Sequence, residues 1–247
     1  MATKVLVVNG SPHMDRGSTG LVLCSFVEGM KAAGADVEIV YTKRMQINAC
    51  CGDFYCWYKT DGQCRQKDDM QGLYPKIREA DIWVWATPLY ADGMSGSLKM
   101  FIDRLIPLLD SKIEMVSGHC RHPLRNGIKR GKVVLVSVCG FWEKDNFDPL
   151  VKHVQHICKN AGREYAGSLL RPHAPLLLDI PREGALERLL DTDDILTAAK
   201  SLGCELIETG EMSVENLEIV SRNIISLPVF KRLVNSAYFF RKIGLIK

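Results

Sequence analysis

The sequence predicts an α/β domain built on a doubly wound, five-stranded parallel sheet. Three observations carry that expectation. Short, nearly continuous apolar runs recur between residues 4 and 170, as strands buried on both faces do. Segments with helical apolar spacing separate them, so successive strands are joined by crossover helices and pair in parallel. Most of the runs stop at Gly, Pro or Thr, so a turn follows each strand directly.

The first strand is residues 4–9 (KVLVVN), stopped by Gly10-Ser11-Pro12. Gly17-Ser18-Thr19 opens a helix whose apolar face uses Leu21, Leu23, Phe26, Val27 and Met30, and Gly34 ends it. Residues 36–41 (DVEIVY) form the second strand and complete a βαβ unit. An irregular insert follows over residues 43–67. Asp68-Asp69-Met70 then starts a helix with acidic residues at its positive end. Residues 81–87 (DIWVWAT) are the third strand, stopped by Pro88, and its alternating Trp83 and Trp85 read as core. A helix over 95–105, a strand over 131–138 stopped by Cys139-Gly140, a helix over 146–161 and a strand over 163–170 complete the sheet. From residue 171 the texture turns helical, with candidate helices near 182–190, 193–209, 213–226 and 229–240. Thr192 and Ser213 suit N-caps, and Gly210 suits a stop. The expected organisation is a domain over residues 1–170, insert included, and a helical extension over 171–247 serving as a lid or dimerisation arm.

The chain has 247 residues, 47% hydrophobic and 25% charged, which fits one well-cored α/β domain with an appendage. Its net charge of +3 is too small to make nucleic acid a main partner. No apolar run approaches the ~20 residues that cross a membrane. The first residues read as a strand rather than a basic leader with an apolar core, so a cytoplasmic location is expected. The nine cysteines are an odd number without such a leader, which suits a reducing compartment and not a disulfide framework.

Ligands of doubly wound sheets sit at the carboxyl ends of the strands. Here those ends are residues 10–19, 87–95 and 139–146, all rich in Gly, Ser, Thr, Pro or aromatic residues. The loop from Gly10 to Thr19 meets a helix N-terminus, where free N–H groups and the positive end of the dipole favour an anion. It carries hydroxyls at Ser11, Ser18 and Thr19, so it reads either as a phosphate site or as an ordinary βα turn with capping serines. It has neither the Gly-Lys-Ser/Thr of a P-loop nor a Gly-x-Gly-x-x-Gly turn.

Further along stand Asp68-Asp69-Met70, Thr87-Pro88-Leu89-Tyr90, Gly93-Met94-Ser95-Gly96 and Lys99-x-x-x-Asp103-Arg104. With Gly10-Ser11-Pro12, this set resembles the NAD(P)H-dependent FMN reductase and iron–sulfur flavoprotein families of flavodoxin-like proteins. The resemblance covers roughly residues 3–170. It implies a flavodoxin-like sheet of order 2-1-3-4-5, a bound FMN and NAD(P)H as electron donor. It implies that Ser11, His13, Ser18 and Thr19 hold the FMN phosphate. It places Pro88, Leu89, Tyr90 and Gly93 against the isoalloxazine ring, and the loop Cys139-Gly140-Phe141-Trp142 on the ring's other side. His13 and Ser18 stand where the family carries Arg and Asn, and Arg16 is the candidate for the missing charge. No acid–base residue is nominated, because the flavin itself carries the chemistry. Asp103-Arg104 reads as a structural pair, and His119 and His122 as surface residues that could touch substrate.

Four cysteines crowd the insert: Cys50, Cys51, Cys56 and Cys64. Clustered thiolates can ligate an iron–sulfur cluster or zinc. The iron–sulfur flavoproteins carry Cys-x2-Cys-x2-Cys and a more distant Cys, which maps to Cys50, Asp53, Cys56 and Cys64. A 4Fe–4S cluster here would therefore use Asp53, or Cys51 with a rearranged loop. The other reading is a bare loop, with Phe54, Tyr55, Trp57 and Tyr58 packed at a subunit interface.

Near the C-terminus, Phe230, Leu233, Val234, Ala237 and Tyr238 share a helical stripe, with Lys231, Arg232, Arg241, Lys242 and Lys247 adding positive charge. Such a helix packs on its own core or a partner chain more often than on a membrane. The leading expectation is an oxidoreductase passing electrons from NAD(P)H through FMN to a flavin, quinone or other small acceptor, as a homo-oligomer (dimer or dimer of dimers). One alternative is an iron–sulfur electron carrier with a ferredoxin-like protein partner. The other is a flavin-free interaction protein on the same fold.

Overall fold

The computed structural model describes residues 2–178 and 192–242. The candidate helix at 182–190 and the side chains of Ala237 and Tyr238 lie outside the described residues. The central sheet holds β1 (Lys4–Asn9), β2 (Asp36–Tyr41), β3 (Ile82–Pro88), β6 (Lys132–Val138) and β7 (Glu164–Arg171), all parallel, in the order β2-β1-β3-β6-β7. This is the flavodoxin-like arrangement. The strand order reverses beside β1, and ligands of such sheets bind outside the carboxyl ends of the strands near that point.

Alternation along β3 divides the core between the two faces. Ile82, Val84 and Ala86 face one layer, and Trp83 and Trp85 the other. Both tryptophans are buried, with ring centroids 6.2 Å apart, and the Trp83 indole donates to Ile77 O at 3.1 Å. Their layer contains α3 (Met70–Glu79), α4 (Gly96–Asp103) and α5 (Asp148–Asn160). On the opposite face lie α1 (Ser18–Ala32) and α6 (Asp193–Glu208), which interlock through Val22, Leu23, Phe26 and Met30 with Ala198, Ala199, Leu202 and Leu206. Glycines make that crossing close. A Cβ on Gly203 would lie far inside contact with Phe26 O, and one on Gly29 inside contact with Lys200 O. The boundary expected at residue 170 therefore does not separate two cores, because α6 completes a layer of the sheet.

Helix α2 (Tyr55–Tyr58) lies in the cysteine insert, and α7 (Val214–Ser221) and α8 (Leu227–Lys242) follow α6. Ser213 caps α7 by accepting from Asn216 N, whereas the Thr192 side chain makes no cap bond to α6. A hairpin of β4 (Glu114–Val116) and β5 (His119–Arg121) occupies what the sequence read as a loop. Its turn residues Ser117 and Gly118 both have positive φ (50° and 77°), as a tight hairpin with right-handed twist needs. Among the described residues, no helix is long and apolar enough to cross a membrane.

Candidate functional site

The loop after β1 is held from within. Asn9 is fully buried, and its side-chain oxygen accepts Ser11 N at 2.8 Å. The Ser11 hydroxyl in turn accepts His13 N at 3.3 Å. After a short 3-10 turn over Met14–Arg16, the first intrahelical bond of α1 runs from Leu21 N to Gly17 O at 3.1 Å. The N–H groups of Ser18, Thr19 and Gly20 thus have no intrahelical acceptor, and Gly17 offers no side-chain cap. Three donors at the positive end of a 15-residue helix fit a phosphate. A Cβ on Gly20 would sit 2.5 Å from Asp15 backbone atoms, so glycine lets the turn fold onto the helix. Of the expected phosphate residues, Ser11 and Thr19 are buried, Ser18 is half-buried, and His13 and Arg16 are exposed. Sequence reading missed Asn9 and the clamp from β2, where Tyr41 OH donates to Asp15 at 2.7 Å. Burial and the Asp15 carboxylate push the Tyr41 phenol up to about 12.

The ends of β3 and β6 form a second cluster. Thr87 Oγ1 accepts Ser95 N at 2.9 Å, and the Ser95 hydroxyl donates to Gly10 O at 2.8 Å. Ser95 also caps α4, so the N-terminus of α4 is drawn against the β1 loop. Tyr90 and Gly93 exchange backbone hydrogen bonds of 2.9 and 3.0 Å across Ala91 and Asp92, both at positive φ (46° and 60°). Left-handed backbone at two successive non-glycine residues is costly and clusters at functional sites.

Between these strand ends lies a cavity of about 490 Å³, within the range of small-molecule pockets. Leu89, Ala91 and Asp92 line one side and Cys139, Gly140 and Phe141 another. Phe230, Lys231, Val234 and Asn235 of α8 line a third. Of the residues expected at the ring, Leu89, Cys139, Gly140 and Phe141 are brought together in this lining. Pro88 stays in the sheet, and Gly93 closes the Tyr90 turn. Tyr90 is half exposed and outside the cavity lining. Trp142 also lies outside it, because its indole N–H donates to Ile225 O at 2.8 Å. Burial pushes the Cys139 thiol up, and it donates to Phe141 O at 3.4 Å, so it packs as a neutral thiol.

His173 was not legible in the sequence, yet it organises this region. It is fully buried at φ 37°, and its backbone N–H donates to Phe141 O at 2.6 Å. Arg171 and the Ile224 N–H both donate to its Nε2, at 2.7 and 3.0 Å, which assigns the ring proton to Nδ1. Burial, then the Arg171 cation, lower its pKa to about 4, so the ring is neutral at physiological pH.

The cysteine insert forms a separate pocket. Cys50 and Cys51 are exposed, Cys64 is half-buried and Cys56 is buried on α2. Burial pushes the Cys56 thiol up, and neighbouring Cys64, Cys50 and Asp53 add to the effect. The buried Arg104 closes the floor. Its two terminal nitrogens donate to Asp68 at 2.6 and 3.2 Å, and further bonds reach Asn48 O at 2.8 Å and Cys64 Sγ at 3.3 Å. Asp103 and Arg104 are both structural, as read, but with separate partners: Asp103 pairs with Lys99 at 2.5 Å, one helical turn away. His122 is likewise structural, bonded to Asp110 O and Lys112 O and packed 4.4 Å from the Trp57 ring, and His119 lies in β5.

A four-iron cluster would require this loop to rearrange. The pocket has a volume of about 30 Å³, space for one or two waters. Asp53, the residue at the second ligand position, is committed to Arg65 at 2.7 Å and to Tyr55 N at 3.1 Å. Among the described residues, no three His, Cys, Asp or Glu side chains are arranged to hold a metal ion.

Comparison with known proteins bears on the family and the fold. The profile of a family described as NADPH-dependent FMN reductase matches residues 3–143. An iron–sulfur flavoprotein of Archaeoglobus fulgidus is 37% identical over 101 residues, 41% of this chain and 48% of that protein. An FMN-dependent NADH:quinone oxidoreductase of Exiguobacterium is 30% identical over 115 residues, 42% of this chain and 54% of its own. The chain thus spans about half the length of these curated relatives. Among solved structures, an NAD(P)H:quinone oxidoreductase from Methanothermobacter marburgensis superposes with a TM-score of 0.59 at 16% identity, covering 83% of this chain and 98% of that one, a likeness of fold.

Proposed function

The chain belongs to the NADPH-dependent FMN reductase family, and from that premise we propose that it is an FMN-dependent oxidoreductase, taking reducing equivalents from NADH or NADPH and passing them to a small acceptor such as a quinone or free flavin. The observation that carries the reading is the cavity at the β3 and β6 ends, with the open N-terminus of α1 following the neighbouring strand β1. Ser18, Thr19 and the first N–H groups of α1 would hold the phosphate, with Ser11 and His13 shaping the loop. Leu89 and the Cys139–Phe141 backbone would flank the ring. Bound there, FMN supplies hydride and electron transfer, and the protein supplies orientation and the electrostatic setting. Phe141 is 64% exposed and Tyr90 50%, which leaves an approach for nicotinamide and acceptor.

The second reading is an iron–sulfur flavoprotein with Cys50, Cys56 and Cys64 as ligands beside Asp53 or Cys51. It is favoured by those side chains lining one pocket and opposed by that pocket's size and the engagement of Asp53. We read the chain as a cytoplasmic homo-oligomer, for which exposed Phe54, Tyr55 and Tyr58 offer apolar surface. The deciding experiment is anaerobic purification with an absorption spectrum, an iron and sulfide assay, and titration with NADH and NADPH. Flavin bands bleached by a nicotinamide, without iron, are the expected result. Stoichiometric iron and sulfide would favour the second reading. Failure to take up FMN even on reconstitution would sink the central one.

A further inference from the structure

Helix α8 belongs to the extension expected as a lid or dimerisation arm, and it forms a wall of the cavity at the β3 and β6 ends. Its cavity-lining residues are Phe230, Lys231, Val234 and Asn235, which share one side of a helix at spacings of one and four. The position of α8 is fixed by several contacts. Phe230 is 9% exposed, and its ring lies 5.9 Å from that of His173. Just ahead of the helix, Ile224 N donates to His173 Nε2 and the Trp142 indole donates to Ile225 O. The His173 backbone holds Phe141 O. One buried residue thus ties the β6 loop, one wall of the cavity, to the segment that launches α8, the facing wall.

We propose that α8 is a wall of the FMN site, with Lys231 and Asn235 donating hydrogen bonds to the carbonyl edge of the flavin ring, and with His173 as the residue that positions α8 against the β6 loop. The proposal rests on the FMN reading above. The chemistry follows from the lining. Leu89, Phe141 and Val234 present apolar surface to a flat ring, and the carbonyl oxygens at the ring's polar edge need donors. Lys231 and Asn235 line this cavity and the neighbouring groove along α8, and they carry an ammonium and a side-chain amide as candidate donors. Lys231 makes no ion pair with any described residue, so its charge is available to the ligand. A cation there also favours negative charge gathering at that edge.

The test is FMN binding to the apoprotein, read by quenching of flavin fluorescence, with thermal melting as the check on folding. Lys231→Met should weaken FMN by about tenfold, the scale of one charge-assisted hydrogen bond. Val234 is 46% exposed, so Val234→Trp can fill the cavity without burying new strain, and should weaken FMN by about 100-fold or more at unchanged melting temperature. His173→Phe combined with Lys231→Met should be non-additive, which a purely structural role for His173 would not produce. FMN constants within twofold of wild type for both Lys231→Met and Val234→Trp would overturn the proposal while leaving the FMN reading standing. No FMN binding by the wild-type chain would overturn both.

Discussion

Replacing Arg104 by Met should destabilise the protein strongly, and the size of the loss follows from its surroundings. Arg104 and Asp68 are each 1% exposed in their side chains. Without the guanidinium, the Asp68 carboxylate stays buried with only the Asn48 and Met70 N–H groups as donors. Asn48 O and Cys64 Sγ lose their donor as well. Removing one partner of a buried ion pair costs about 3–5 kcal/mol. For a domain of this length that is a fall of about 6–20 °C in melting temperature. The double variant Asp68→Leu/Arg104→Met should recover much of it, because replacing both partners is close to neutral. The pH dependence has a definite sign. Burial alone would raise the Asp68 carboxyl, but Arg104 and the two backbone donors outweigh it and hold it below the usual range. A carboxylate lowered in the folded state stabilises above its unfolded value, about 4, and loses that contribution as the pH falls through the folded value. The gap between wild type and Arg104→Met should therefore shrink in acid below about pH 4. Urea unfolding at pH 7 and at pH 3 measures both effects. A loss below about 1 kcal/mol at pH 7, or a gap that widens in acid, would refute the account of this pair.

Other perturbations test other joints. Gly203→Ala puts a methyl group against Phe26 O and Met30 N and should cost about 1–3 kcal/mol in urea unfolding. Tyr41→Phe removes the clamp on Asp15 and should weaken FMN by about threefold. The Tyr41 phenol is raised to about 12, so wild type should also shed stability between pH 10 and 12 that Tyr41→Phe does not have to lose, which alkaline denaturation can compare. His173 is lowered to about 4, so its neutral form is favoured by folding; wild-type stability should fall by up to about 3 kcal/mol as the pH drops from about 6.5 to 4, and His173→Asn should show a flatter profile over that window.

The sheet was legible because strands buried on both faces write themselves as apolar runs, and β1, β3 and β6 are such runs. The turn after β1 and the helix start beyond it were legible from Gly10-Ser11-Pro12 and Gly17-Ser18-Thr19. What escaped were partnerships across long stretches of chain. Nothing near Arg104 marks Asp68, 36 residues away, as its partner in place of the adjacent Asp103. Nothing near α6 says that Gly203 meets Phe26 of α1. The apolar stripe of α8 was readable as amphipathic, but amphipathicity reports that a face is covered and not by what. The tie from the Trp142 indole to Ile225 O, 83 residues on, is another such long-range partnership.

The residues that hold the strand-end cavity together share a chemical character. Asn9, Ser95, Thr87 and His173 are buried polar side chains, and each bonds backbone atoms of the surrounding loops. Each therefore orders a loop that would otherwise have to be ordered by the ligand, and ordering cost subtracts directly from affinity. Ala91 and Asp92 stay left-handed at about 1–3 kcal/mol each because the Tyr90–Gly93 bonds hold both sides of their turn. The His173 tie has a different reach. It joins the β6 loop to α8, elements separated in sequence by α5, β7, α6 and α7, so the cavity exists only in a chain whose C-terminal helices are docked. Cofactor affinity in this protein should then report on the packing of α8 as directly as it reports on the phosphate loop.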